Sequence, residues 1–324
     1  MTVIAGIDEA GYGPRLGPLV TSCAALRVPG DGEGGDLWER LAGCVARPGR
    51  DGGGEGLIVG DSKAVYVSGG TLAKLERAPL AFLALLGGGS APEAAESLAH
   101  RLLSGRCRAS LAEHPWYADR GERLPLDCAA GELSSAAGHL ARDCRRVRTE
   151  PVHLASRALA EGEFNRRVER RGSKAAVLLE LVAELLAGLR AAAGGERLEV
   201  CLDRLGGRTD YGPLLALAFP GGFAWEEASS PEEQRYRVEG LAGPTLVTVR
   251  VKADRDCFAV ALASMFSKYL RELYMRRFNA YWREIDPGLP ATTGYHADAG
   301  AFLAAVEPHR ARQGLADADR IRSR

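Results

Sequence analysis

Val3-Ile4-Ala5-Gly6-Ile7-Asp8-Glu9-Ala10-Gly11-Tyr12-Gly13-Pro14 is the stretch from which the fold is read. Val3 to Ile7 is a short apolar β-type run that delivers two consecutive carboxylates. The glycines and Pro14 then turn the chain before a second apolar run begins at Leu19. Successive strand side chains point to opposite faces, so Asp8 and Glu9 serve one site only if the strand ends there and the glycines let the backbone bend. A carboxylate pair at a strand end costs desolvation and mutual repulsion unless a cation offsets it, and hard divalent cations favour oxygen ligands. A Mg²⁺ or Mn²⁺ site is therefore expected. The plainer alternative has Asp8 capping the turn and Glu9 solvated.

The composition sets the bounds around this stretch. A chain of 324 residues, 46% of them hydrophobic, buries a sizeable core as one large domain or two smaller ones. No apolar run is long enough to cross a bilayer and no signal-peptide pattern opens the chain, so a soluble protein without a membrane partner is expected. The seven cysteines are odd in number and scattered, with no C-x-x-C pair, which favours reduced thiols in a cytoplasm. Lys+Arg and Asp+Glu are both 42, so the basic excess common in nucleic-acid binders is absent and any nucleic acid must be held by a local patch.

Further along, Leu19 to Val28 reads as a strand antiparallel to the first. Gly30–Gly35 and Gly49–Gly56 read as flexible loops around a short helix near Leu37–Val45, and Leu57-Ile58-Val59 runs into Asp61-Ser62-Lys63. Thr71 to Leu103 has helical spacing and His114 to Leu133 is irregular, which suggests a mostly helical insertion over about 68–145. Arg145–His153 is expected as a strand leading into a helix from near Ser156 to Arg171, with Arg166, Arg167, Arg170 and Arg171 on one broad face that either binds phosphates or is simply solvated. Ser173 caps a nearly apolar helix. Leu198–Leu202 is a strand ending at Asp203, and Arg235–Val238 and Leu246–Val251 are further strands, the second running on to Asp254. Asp256 then caps a long helix to about Phe278, whose Ala259, Ala263 and Ser267 let it lie close against a sheet. A short helix near Ala299–Val306 and a polar tail over 312–324 follow.

Asp8, Glu9, Asp203 and Asp254 gathered at adjacent strand ends give enough oxygen ligands for two divalent cations, the arrangement that phosphoryl-transfer chemistry needs. At this point the sequence resembles ribonuclease HII. Gly6 to Pro14, with Gly17-Pro18-Leu19-Val20, is similar to that family's amino-terminal motif, and Asp61-Ser62-Lys63 to its D-S-K motif. Asp203 and Asp254 stand where the third and fourth catalytic aspartates would be. Ala263-Ser264 to Lys268 matches an A-S-x-x-x-K helix, Gly294-Tyr295 the family's G-Y, and His309-Arg310 its H-R. The matches keep the family's order from residue 3 to about 310.

The resemblance implies an α/β, ribonuclease-H-like mixed sheet flanked by helices over 1–311, with a carboxy-terminal substrate-sensing element at about 286–311. It implies a monomeric endonuclease acting on RNA–DNA hybrids or on ribonucleotides within duplex DNA. Asp8, Glu9, Asp203 and Asp254 would be the catalytic metal ligands. Gly11, Tyr12 and Gly13 would meet the ribonucleotide 2′-hydroxyl, Ser62 and Lys63 would belong to the substrate-binding set with Lys63 on the phosphate backbone, and Tyr295 would pack on the sugar. Lys268 is expected far from the metals, because fourteen residues of straight helix span about 20 Å. Tyr12 departs from the family, which has arginine there, so one positive charge is missing beside the substrate. Two other classes fit less of the chain: a nuclease-fold relative that acts on another nucleic acid or binds without cutting, and a sugar-kinase or actin-like ATP enzyme, for which Gly206-Gly207-Arg208-Thr209 would be a phosphate loop.

Overall fold

The expected first strand is the centre of the sheet. In chain order the elements begin with β1 (Thr2–Ala10), β2 (Leu19–Val28), α1 (Leu37–Arg40), β3 (Val45–Ala46), β4 (Leu57–Ile58) and α2 (Ser62–Val65). The helical stretch is α3 (Ala73–Leu86), α4 (Ala95–Leu102), α5 (Gly105–Ala112), a 3₁₀ turn at Pro115–Tyr117 and α6 (Ala130–Arg146). Then come β5 (Glu150–Leu159), α7 (Glu161–Arg171), α8 (Lys174–Ala193), β6 (Arg197–Asp203), α9 (Gly212–Ala218), β7 (Phe223–Ser229), β8 (Glu233–Glu239) and β9 (Thr245–Arg250). The chain closes with α10 (Ala253–Asp256), α11 (Phe258–Ile285) and α12 (His296–Gln313). These elements come from a computed structural model, which describes residues 1–30, 36–49, 56–67, 69–313 and 321–322. The two expected glycine loops lie largely outside the described residues.

Seven strands form one mixed sheet in the order β5-β2-β1-β6-β9-β8-β7. β1 pairs antiparallel with β2 and parallel with β6, and β6 pairs parallel with β9. The expected α/β architecture, antiparallel first strands in a helix-flanked mixed sheet, is therefore present. Alternation along β1 sends Val3, Ala5 and Ile7 to one face, where they meet Leu178, Leu185 and Leu189 of α8. The other face of the sheet lies under α11. A Cβ on Gly6 would overlap the Val260 amide nitrogen and the Ala259 carbonyl, so the helix reaches van der Waals contact with β1 only because that side chain is absent. Ala259, Ala263 and Ser267 are fully buried in the same contact.

The helices between 73 and 146 share the α11 core rather than forming their own. Phe258 packs edge-on against Trp38 and Phe82, with ring centroids 5.3 and 6.0 Å away, and Trp116 is surrounded by Phe278, Tyr281 and Trp282. Glu76, fully buried in α3, accepts backbone N–H bonds from Leu126, Asp127 and Cys128 at 2.6–2.7 Å and the Tyr269 hydroxyl at 3.1 Å. It ties α3 to the entry of α6 and to α11.

Several expectations are corrected. Residues 150–159 are strand throughout, and the helix begins at Glu161, not near Ser156: Ser156 pairs with Ser22 across the sheet, their hydroxyls 2.8 Å apart. Arg145 and Arg146 end α6 rather than opening a strand. Asp256 does not cap the long helix. It lies in α10, and Cys257, in extended conformation, separates α10 from α11 without a side-chain cap. The edge strand β7 was not foreseen. Within the tail expected over 312–324, Arg322 is buried against the amino-terminal loop. No helix among the described residues is long and apolar enough to cross a membrane.

Candidate active site

The four acids lie at the carboxy-terminal ends of β1, β6 and β9. β1 does not end at Asp8, as its bent form required; it continues to Ala10. What ends is its pairing with β6, whose last register pair is Ile7 with Leu202. One step further in that register sets Asp8 beside Asp203, the last residue of β6. Past this point the sheet opens, and the charge of Asp203 acts on both carboxylates of β1, that of Glu9 on Asp8. Burial first, then the Glu9 charge and more weakly the Asp203 charge, hold the Asp8 carboxyl well above the usual carboxylate range, against a hydrogen bond from Ser264. Burial and the Asp203 charge push Glu9 up to about 7. Asp203 itself accepts the Ala253 N–H at 2.9 Å, which anchors the turn through Lys252, whose φ is +58°. That turn presents Asp254 in α10, its carboxyl raised by burial and by the charges of Asp61 and Asp203.

The donor set is all carboxylate and its members repel one another, which is the environment that a hard divalent cation would stabilise. As the side chains stand, no three of the His, Cys, Asp or Glu residues among the described residues close on one point tightly enough to hold a metal ion.

The D-S-K segment adjoins these acids. Asp61 caps α2 by accepting the Lys63 N–H at 2.9 Å, and Ser62 is 3.2 Å from Ser264, hydroxyl to hydroxyl. Ser264 thus links Ser62 to Asp8, and the Ser267 hydroxyl donates to the Asp8 carbonyl at 2.9 Å. Lys268 belongs to the same neighbourhood. Burial lowers its ammonium, and the charges of Glu272, Lys63 and Asp61 act on it in turn. The straight helix assumed between Asp254 and Lys268 is not formed, because Cys257 separates α10 from α11.

Gly11, Tyr12 and Gly13 form the loop after β1. Gly11 has φ +86°, and a Cβ there would lie 2.7 Å from both the Arg271 Nε and the Pro18 carbonyl. Burial raises the Tyr12 hydroxyl, with the Glu9 charge adding to it. Tyr295 is brought to this loop by backbone bonds: the Gly294 carbonyl accepts from the N–H groups of Arg15 and Leu16 at 2.9 and 3.2 Å. Gly294 has φ +82°, and a Cβ would overlap the Leu16 carbonyl. Arg271, 2% exposed, locks the junction, donating to the carbonyls of Leu16 and Thr293 at 3.2 and 2.9 Å with its guanidinium 5.3 Å from the Tyr295 ring centre. Tyr295 keeps 42% of its surface open to solvent.

Sequence reasoning missed Arg271, one of several charges in α11, and left Asp61 and Ser264 outside the site. The available signal was spacing: Ser264, Ser267, Lys268 and Arg271 recur at three or four residues and so share one face of α11. The arginine face of α7, in contrast, is not free for phosphates. Arg167 is buried and bonds Glu163 at 2.8 Å, Arg166 reaches Glu113 and Glu163, and Arg171 pairs with Glu180.

No protein-family model matches the sequence, and comparison with curated proteins likewise gave no match. Among solved structures the chain is similar to ribonuclease HII of Archaeoglobus fulgidus in its complex with PCNA, with 17% identity over 99% of this chain and 95% of that one and a TM-score of 0.40. It is similar to ribonuclease H2 of Pyrococcus horikoshii, with 15% identity, 98% and 92% coverage and a TM-score of 0.41. Bst-RNase HIII in complex with Mn²⁺ is a third, with 14% identity, 99% and 66% coverage and a TM-score of 0.42.

Proposed function

We propose that the protein is a divalent-cation-dependent endonuclease that hydrolyses RNA in RNA–DNA hybrids or cuts at ribonucleotides embedded in duplex DNA, leaving a 3′-hydroxyl. The observation that carries this reading is the meeting of Asp8, Glu9 and Asp203 where β1 loses its parallel partner, close enough for the Glu9 and Asp203 charges to favour a proton on Asp8 and the Asp203 charge to favour one on Glu9. Acids set against acids in a fold work against stability unless a cation is their purpose.

Two Mg²⁺ or Mn²⁺ ions held by Asp8, Glu9, Asp203 and Asp254 would acidify the attacking water and stabilise the leaving oxygen. The chain's own residues do the rest. Ser264, backed by Ser62, orients Asp8, and the Ala253 N–H orients Asp203. Backbone groups of Gly11 and Gly13, with Tyr12, would contact the ribonucleotide 2′-hydroxyl, while Tyr295, held at a fixed separation by Arg271, would pack on the neighbouring sugar. Lys63 would contact the phosphate backbone.

The test is cleavage of a labelled DNA duplex with a single ribonucleotide, beside an all-DNA duplex and a continuous hybrid, in Mg²⁺ and then Mn²⁺, for wild type and Asp8→Asn. Cutting at the ribonucleotide by wild type alone supports the reading. Absence of cutting by folded protein in both metals rejects it.

A further inference from the structure

Beside the loop after β1 lies a cavity of about 390 Å³ whose charged lining is entirely basic among the described residues: Arg15, Lys174 and Arg322, with His296, and with Tyr12 and Phe164 as walls. Arg322 is 3% exposed. Its Nη2 donates to the Pro14 carbonyl at 2.5 Å and its backbone N–H to the Arg15 carbonyl at 2.9 Å, while its Nε and Nη1 have no hydrogen-bond partner among the described residues. The acid whose charge reaches it, Glu161, is already engaged by the Gly17 N–H and the Tyr117 hydroxyl. Burial and the nearby Arg271 push Arg322 down to about 10. A guanidinium buried with unused donors is costly, and an anion beside it removes much of that cost.

A second feature points the same way. Lys174 is the first residue of the twenty-residue helix α8, capped by Ser173, so the positive end of the helix dipole faces the cavity. Its ammonium lies 4.9 Å from the Tyr12 ring centre. Tyr12 carries no charge of its own here, and Arg15, Lys174 and Arg322 supply the charge around it.

We propose that this cavity binds one phosphate group through Lys174, Arg15 and Arg322, and that the phosphate comes from the backbone of the bound strand. The strand source rests on the nucleic-acid reading above; the phosphate site does not.

The test uses the full chain without divalent cations, so that nothing is cut. Duplex binding is measured by fluorescence anisotropy across a salt series for wild type, Lys174→Gln and Arg15→Gln, with ribonucleotide-containing and all-DNA duplexes. In parallel, melting is followed in sodium phosphate against sodium chloride at equal ionic strength. Lys174 and Arg15 are half-exposed, and their melting in chloride checks that the fold is kept. The expected result is about tenfold weaker binding of both duplexes by each variant, with a salt slope shallower by about one. Unchanged affinity and slope overturn the strand source. If phosphate still stabilises wild type and not Lys174→Gln, the occupant is free phosphate; if phosphate stabilises neither, the site itself is overturned. Should wild type bind no duplex, the nucleic-acid reading fails and the phosphate arm alone decides the cavity.

Discussion

Glu76, fully buried, and Asp8, half-buried, are both carboxylates set into the fold, and they are treated in opposite ways. Glu76 is met by donors: three backbone N–H groups and a tyrosine hydroxyl converge on it. Asp8 is met chiefly by other acids, with the Ser264 hydroxyl as its side-chain donor. The first arrangement uses a charge to close a fold; the second leaves charge unspent for something that is not part of the chain. A buried acid therefore does not mark a site. A buried acid facing acids does.

The contrast is easiest to break where its effect is largest. Asp8→Asn or Asp203→Asn is expected to reduce ribonucleotide-directed cleavage by at least a hundredfold, on the scale of losing one preorganised electrostatic contact, while melting stays equal to or above wild type because a repulsion is removed. A mutant that melts well below wild type would mean that these acids are structural. Glu76→Ala is expected to do the reverse, costing about 3 kcal/mol in urea denaturation because it strands three buried N–H groups and the Tyr269 hydroxyl, with duplex affinity unchanged in the folded fraction.

The pH dependence sharpens the same point. Glu9 is carried up to about 7 from an ordinary value of 4.5, so the folded chain binds this proton more tightly than the unfolded one. Without divalent cations, stability therefore falls as pH rises from about 4.5 through 7. Asp203→Asn should flatten that fall, and added Mn²⁺ should reverse it; melting scans in EDTA across this range give the answer, and a flat wild-type profile would remove the repulsion from the argument. The smallest effect is expected at Arg170, whose side chain is largely exposed at 3.7 Å from Glu163. Arg170→Gln should change stability by less than about 0.5 kcal/mol and leave duplex binding unaltered.

How much of this was legible follows the range of the forces involved. The first strand, its two acids and the small-residue face of α11 could be read because local pattern and tertiary role agree there. Residues 156–159 were misread because Ser156, Arg157 and Ala158 suit a helix, and only pairing with β2 makes them strand. β7 carries no alternation to read, since nearly every residue in it is exposed. Arg166 and Arg171 looked available because Glu113 and Glu180 lie outside the helix, whereas Glu163, within it, was readable at i,i+3 and i,i+4 spacing to Arg166 and Arg167. Arg271 and Arg322 were invisible for the converse reason. Each is a single arginine whose role is fixed by carbonyls far away in sequence.

The bond from Arg322 to the Pro14 carbonyl spans 308 residues. During synthesis the loop after β1 emerges long before Arg322, and this contact is completed only once that residue has been made. Such a long closure is slow to form and gives no reward until it does. A nascent chain can therefore assemble its sheet and its acids before Arg322 closes on that loop.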